Sequence, residues 1–276
     1  LLLAEGFNSL GTVLGPLAAA ELLFRGGVFD PAVAMAEGAD ARGTSLWAIG
    51  HQFELVSLAI AAVFVLFWIN RRRLWPECGD ALESGGVLSA FRSGWGLFGA
   101  FAVFCYVGAE VSSSTLMVNF LSQPDVLAVT HQRAAQLLGL LFWGGAMLGR
   151  FGGSQLLRVV RPGRLLGVCA LVNAALCLFV SQQGGVLAGA GALSLGLFDS
   201  VMFPLVFTLT LQRSGARSCS LSGLMCTAIA GGAVLPPLAG IVADRSGIGA
   251  AFAVPLAGYV GVAVFAIMGR TRLMRP

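Results

Sequence analysis

Apolar runs of about twenty residues, separated by short polar or arginine-bearing breaks, recur along the whole chain. An α-helix rising about 1.5 Å per residue needs a run of that length to cross a hydrocarbon core of about 30 Å. Eight such spans are predicted. Span a covers about 1–24 and span b about 48–70, with a polar loop between them. Arg71-Arg72-Arg73 and a charged stretch to about residue 94 then interrupt the pattern. Spans c (about 96–122), d (133–157), e (165–182), f (186–211), g (221–243) and h (249–269) follow, divided by breakers such as Gln123-Pro124-Asp125 and Arg161-Pro162-Gly163-Arg164. The predicted class is all-α and polytopic, with the break at 71–94 the best place for a boundary between two helical bundles.

Composition agrees with this pattern. Of 276 residues, 57% are hydrophobic and 11% charged, and the mean hydropathy is +0.86. Soluble domains carry about a quarter charged residues, so a water-exposed surface cannot be built from this chain. All 17 basic residues are arginine, scattered between apolar runs and forming no basic face. A nucleic-acid partner is therefore not expected, and the partner of most of the surface is the lipid bilayer.

The arginines also give a direction. With the b–c, d–e and f–g connections and the C-terminus in the cytoplasm, thirteen arginines lie on that side: 71, 72, 73, 92, 150, 158, 161, 164, 213, 217, 270, 272 and 275. Four lie opposite, at 25, 42, 133 and 245. The positive-inside rule favours this orientation in a cytoplasmic membrane, with both ends of the chain cytoplasmic. The chain opens on Leu1-Leu2-Leu3-Ala4-Glu5 with no basic flank, which reads as a start within a helix rather than a signal peptide.

Ionisable side chains at membrane depth are costly and serve as candidate functional groups. Glu21 and Glu54 fall near span ends, where they can reach the interface. Glu110 falls near the middle of span c, and helical spacing puts it on one stripe with Ser113, Ser114 and Met117. That stripe suits either a wet cavity or a buried helix–helix hydrogen bond. Asp199 lies at similar depth in span f, shortly before Pro204, which frees a backbone carbonyl. Interrupted helices at mid-membrane mark transporter substrate sites, although a plain proline kink reads the same. Glu5, Asn8, Ser9 and Thr12 share one face of span a, and Glu and Asn suit the paired donors and acceptors of sugar hydroxyls. Span g carries Gly223, Gly231, Gly232, Pro236, Pro237 and Gly240, fitting either a gating helix or close packing.

No catalytic signature appears, and an enzyme is not expected. The six cysteines form no CxxC pair, so no metal, cofactor or disulfide framework is indicated. No filter loop of an ion channel is visible.

These motifs together resemble the major facilitator superfamily. The resemblance is narrower to the fucose:proton symporter family and its glucose/galactose transporter branch. It rests on Phe7-Asn8-Ser9-Leu10-Gly11-Thr12, Tyr106-Val107-Gly108-Ala109-Glu110-Val111, Val118-Asn119-Phe120, Gly196-Leu197-Phe198-Asp199-Ser200-Val201-Met202-Phe203-Pro204 and Ala230-Gly231-Gly232-Ala233 with Pro236 and Asp244. The turn Gly149-Arg150-Phe151-Gly152 with Arg158 and Pro162 is similar to the superfamily's gating turn.

The resemblance implies a twelve-helix fold of which eight are present. Residues 1–70 would be the last two helices of an N-terminal bundle, 71–94 the cytoplasmic linker and 95–276 a complete C-terminal six-helix bundle. It implies sugar held between bundles and imported with a proton by alternating access, sodium being the other candidate ion. The fucose member's coupling carboxylates lie on the first and fourth helices, upstream of these spans. Substrate-binding candidates are Glu5, Asn8, Glu110, Asn119 and Asp199, with Glu110 and Asp199 also candidates for protonation. Glu5 stands where the fucose member has Gln, and Asp199 where the glucose/galactose branch usually has Asn. A monomer is expected. Other readings are a drug exporter of the same superfamily, or a membrane sensor or scaffold that does not transport.

Overall fold

In a computed structural model, the described residues are 11–15, 17, 50, 54, 56–71, 87–214 and 218–271. They are helical with short connections, and no strand occurs among them. The chain divides into two compact units, residues 18–85 and residues 1–17 with 86–276. In the first, α1 (Val56–Arg71) is a short apolar helix. Its exposed Phe64 and Trp68 rings stack at 5.9 Å, and Arg71 lies 4.2 Å from the Trp68 ring centroid. An aromatic–arginine pair of this kind is a usual anchor at a membrane surface.

The larger unit carries spans c to h. A 3₁₀ turn (Val87–Arg92) leads into α2 (Gly94–Leu121). Helix α3 (131–156) runs through His131–Leu137, a π-helical stretch at Leu138–Trp143, and Gly144–Leu156. Next come α4 (Pro162–Gln182), α5 (Gly185–Asp199) and α6 (Met202–Arg213), the last two forming one interrupted span. Helices α7 (Ser218–Ala228) and α8 (Gly231–Ser246) form another, and α9 (Ile248–Ala251) and α10 (Ala253–Thr271) the last. Among the described residues, five helices are long and apolar enough to cross a membrane. Helix α3 is not among them, because its second half is rich in glycine and holds Arg150, Ser154 and Gln155. Most of span a, part of span b and the 72–86 stretch lie outside the described residues.

Local chemistry fixes the helix ends. Ser93 caps α2 by accepting a bond from the Gly96 amide, and its hydroxyl donates to the Ser214 carbonyl at 3.0 Å. Thr130 caps α3 by accepting from the Arg133 amide, and Pro162 begins α4 where its missing N–H costs nothing. Gly247, at φ +90°, closes α8 in a conformation that side chains resist.

Helix α2 forms the centre of this unit, with α8 and α10 against it and α4 against α10. Small residues let these backbones approach. A Cβ at Gly149 would overlap the Leu197 carbonyl and the Ser200 hydroxyl, and one at Gly196 would overlap the Phe142 carbonyl, so α3 and α5 meet through glycine. Gly231 likewise lies on the Phe104 carbonyl of α2. The α7–α8 span is the least covered, only 17% of it being buried.

Candidate functional site

The interruption between α5 and α6 positions the polar centre. Pro204 has no N–H to return to the carbonyl four residues earlier, that of Ser200. Arg150, reaching across from α3, donates its Nε to this carbonyl at 3.3 Å. The expected freed carbonyl is therefore matched to a guanidinium, and the second half of α3 is tied to the interruption of span f. Glycines at 149 and 153 permit the approach, since Cβ atoms there would strike Ser200 and Val201.

Asp199 sits at the last residue of α5 and is 0% exposed. Asn173 of α4 donates Nδ2 to Asp199 Oδ1 at 3.0 Å and to the Leu195 carbonyl at 3.2 Å. Tyr259 of α10 donates its hydroxyl to Asp199 Oδ2 at 2.9 Å. Three helical spans thus meet at one carboxyl, and both its oxygens are satisfied by protein donors. Removing a carboxylate from water costs several kcal/mol, which such hydrogen bonds must offset.

Two oxygens beside this cluster are buried without a partner: Asn173 Oδ1 and Ser113 Oγ. Ser113 lies close to the Tyr259 hydroxyl, outside hydrogen-bond geometry. The neighbouring hydroxyls are spent on their own helix, Ser112 on the Gly108 carbonyl and Thr115 on that of Val111.

Glu110 is half-buried on α2. Tyr106, one turn earlier and 2% exposed, interacts with its carboxyl. The Tyr106 ring lies 6.4 Å from that of Phe203 in α6. Glu110 and Asp199 are near enough to repel one another when both are charged. The structure therefore brings together the two acids expected at mid-membrane, but in different settings: Glu110 half-buried, Asp199 fully buried.

The predicted stripe on span c divides. Ser113 and Met117 are fully buried, whereas Glu110 and Ser114 are half-buried. Asn119 is exposed. Nine residues separate it from Glu110, about two and a half turns, so it occupies the opposite side of α2. Glu5 and Asn8 lie outside the described residues. Glu54 is exposed.

Asn173 and Tyr259 are absent from the candidates read in the sequence. Asn173 is an amide amid the apolar run of span e, and a tyrosine hydroxyl at mid-membrane needs a partner; those were the available signals. Cys105, Cys169 and Cys177 are buried free thiols. Among the described residues, no group of three or more His, Cys, Asp or Glu is placed to hold a metal ion.

At the end of α3, Arg150 (8% exposed) and the exposed Arg158 border a cavity of about 630 Å³ between α3, the start of α4 and α6.

No protein-family model matches the chain. It is 35% identical over 269 residues to a glucose/galactose transporter of Brucella abortus, covering 98% of this chain and 63% of that protein. To a putative glucose/galactose transporter of Helicobacter pylori it is 33% identical, covering 98% of this chain and 65% of that protein. The chain thus spans less than two thirds of the length of these relatives, which are transporters and not enzymes. Two crystal structures of the Escherichia coli fucose:proton symporter FucP, a major facilitator superfamily transporter, superpose with a TM-score of 0.71 at 22% identity, covering 97% of this chain. They cover 67% and 68% of those chains, respectively. The chain is thus related over nearly its whole length to the glucose/galactose transporters, and its fold is that of FucP, a major facilitator superfamily transporter.

Proposed function

We propose that this chain is part of a secondary transporter of the cytoplasmic membrane that imports a neutral hexose or related sugar with a proton, by alternating access. Residues 95–276 would be its C-terminal bundle, 71–94 the linker and 1–70 the end of the N-terminal bundle. The observation that carries the reading is homology to glucose/galactose transporters along 98% of the chain, combined with two acids at the middle of the membrane span. The arginine distribution supports the orientation.

In this reading Glu110, with Glu5 and Asn8 from span a, faces sugar and water. Asn119 would contact sugar only from the other side of α2. Asp199, with both oxygens held by Asn173 and Tyr259, serves the proton rather than the sugar. Its neutral form keeps these partners, while its charged form repels Glu110. Arg150 and Gly149 hold the gating turn against the helix interruption, and Arg158 lies at the cytoplasmic end.

The test is counterflow. Proteoliposomes holding the carrier expressed from its complete gene are preloaded with unlabelled glucose or galactose and given labelled sugar outside. Transient accumulation of label supports the reading. Equal traces with and without preload, for every hexose tried, would remove it and leave a sensor or scaffold.

A further inference from the structure

The cavity at the end of α3 carries chemistry that sugar binding does not use. Its lining places two guanidiniums, Arg150 and Arg158, beside the hydroxyls of Ser154 and Thr208 and the amide of Gln155, and includes no carboxylate. The remaining wall is apolar, from Phe151, Val201 and Leu205 among others. Such a site is built for an anion carrying a hydrocarbon body. The guanidinium fork matches phosphate oxygens in pairs. The Thr208 hydroxyl and the Gln155 amide suit the remaining oxygens of a polar headgroup, the Ser154 hydroxyl being spent on the Phe151 carbonyl. At about 630 Å³ the volume is that of a small-molecule site rather than a packing defect. Arg150 is 8% exposed and oriented by its bond to the Ser200 carbonyl, so one of the two cations is held in place before any ligand arrives.

Its location narrows the ligand further. In the orientation proposed above, the cavity lies at the cytoplasmic end of span d, where the leaflet supplies anionic phospholipid. Basic pockets between membrane helices on that side bind anionic headgroups. Phe151, lining the cavity, is 54% exposed, and the nearby Leu148 65%, an apolar flank along which acyl chains can run.

We infer that the cavity between α3, the start of α4 and α6 binds the phosphate headgroup of an anionic phospholipid of the cytoplasmic leaflet, held by Arg150 and Arg158. An occupant there touches Val201, Pro204 and Leu205 beside the helix interruption, so bound lipid is placed to bias the conformation of span f. The inference rests on the orientation given under the proposed function, and its test needs no sugar uptake, so the two readings fail separately.

The experiment is native mass spectrometry of the delipidated full-length carrier titrated with phosphatidylglycerol, phosphatidylcholine or inorganic phosphate. The expected result is preferential retention of phosphatidylglycerol, weakened about fivefold by Arg158→Gln, the effect of about one lost interfacial cation. Arg158 is exposed, so this variant tests the site without disturbing the core. Thr208→Val, keeping both arginines, is expected to weaken retention as well. Equal retention of the two lipids would overturn the inference, as would retention unchanged by Arg158→Gln. Displacement of phosphatidylglycerol by millimolar phosphate would also overturn it, in favour of a soluble anion.

Discussion

The bond between Tyr259 and Asp199 offers a quantitative test of the polar centre. Tyr259→Phe removes one oxygen and preserves the ring of a residue that is 0% exposed, so little packing is lost. What disappears is a hydrogen bond of 2.9 Å to a fully buried carboxyl. In water-soluble proteins a bond to a charged group contributes about 1.5–3 kcal/mol. Between membrane helices measured values average about 0.6 and reach about 1.7 kcal/mol, because the unfolded helices also find partners in the bilayer. Asp199 oxygens have two protein donors and no solvent, so the upper part of the membrane range applies, about 1.5 kcal/mol. The same substitution in an Asp199→Leu background should cost close to nothing, since the hydroxyl then has no carboxyl to meet. The assay is unfolding of the purified carrier by heat or denaturing detergent, wild type and three variants, with the coupling taken as the departure from additivity. Distant, independent sites add within about 0.5 kcal/mol. A Tyr259–Asp199 coupling below that value would refute the network.

Three further outcomes follow from the same geometry. Gly149→Ala should sharply lower the yield of folded carrier, because its Cβ would strike the Leu197 carbonyl and Ser200; Gly152→Ala, with no atom within 4 Å, should leave yield unchanged, both read by size-exclusion profile. Pro204→Ala restores an N–H that can return to the Ser200 carbonyl, so it should raise the melting temperature and slow transport; unchanged values would mean the interruption has another cause. Asp199→Asn mimics the protonated acid at every pH, so it should flatten the pH dependence of uptake while leaving downhill exchange, measured as counterflow between pH 5 and 8.

Five of the six spans from c onward were legible because membrane helices announce themselves by length and hydropathy alone; span d, with its glycine-rich and polar second half, is the exception. Their ends were legible too, from Pro162 and from the Gln182-Gln183-Gly184 turn. Depth could also be read: placing Glu110 and Asp199 at the same level follows from counting residues inward from the span ends. What the sequence does not encode locally is azimuth. A span surrounded by lipid and other helices is apolar on every side, so it carries no contrast between faces to orient it. Ser113 and Met117 were therefore grouped with Glu110 although they point into the core, and Asn119 was placed with residues from which it is turned away. The same blindness hid Asn173 and Tyr259. Each is an isolated polar side chain in an apolar run, and only the folded arrangement of α4, α5 and α10 shows that both are aimed at Asp199. Pro204 is an intermediate case: the freed carbonyl follows from the sequence, but its partner Arg150, fifty residues away, does not.

The most direct measurement is accumulation of labelled glucose or galactose by proteoliposomes carrying the full-length protein, driven only by an inward proton gradient. Internal sugar should rise above the external concentration, collapse when a protonophore is added, and fail to accumulate in Asp199→Asn while counterflow persists. Accumulation driven equally well by a sodium gradient without a pH gradient would contradict proton coupling, and no hexose accumulating under either gradient would contradict sugar transport itself.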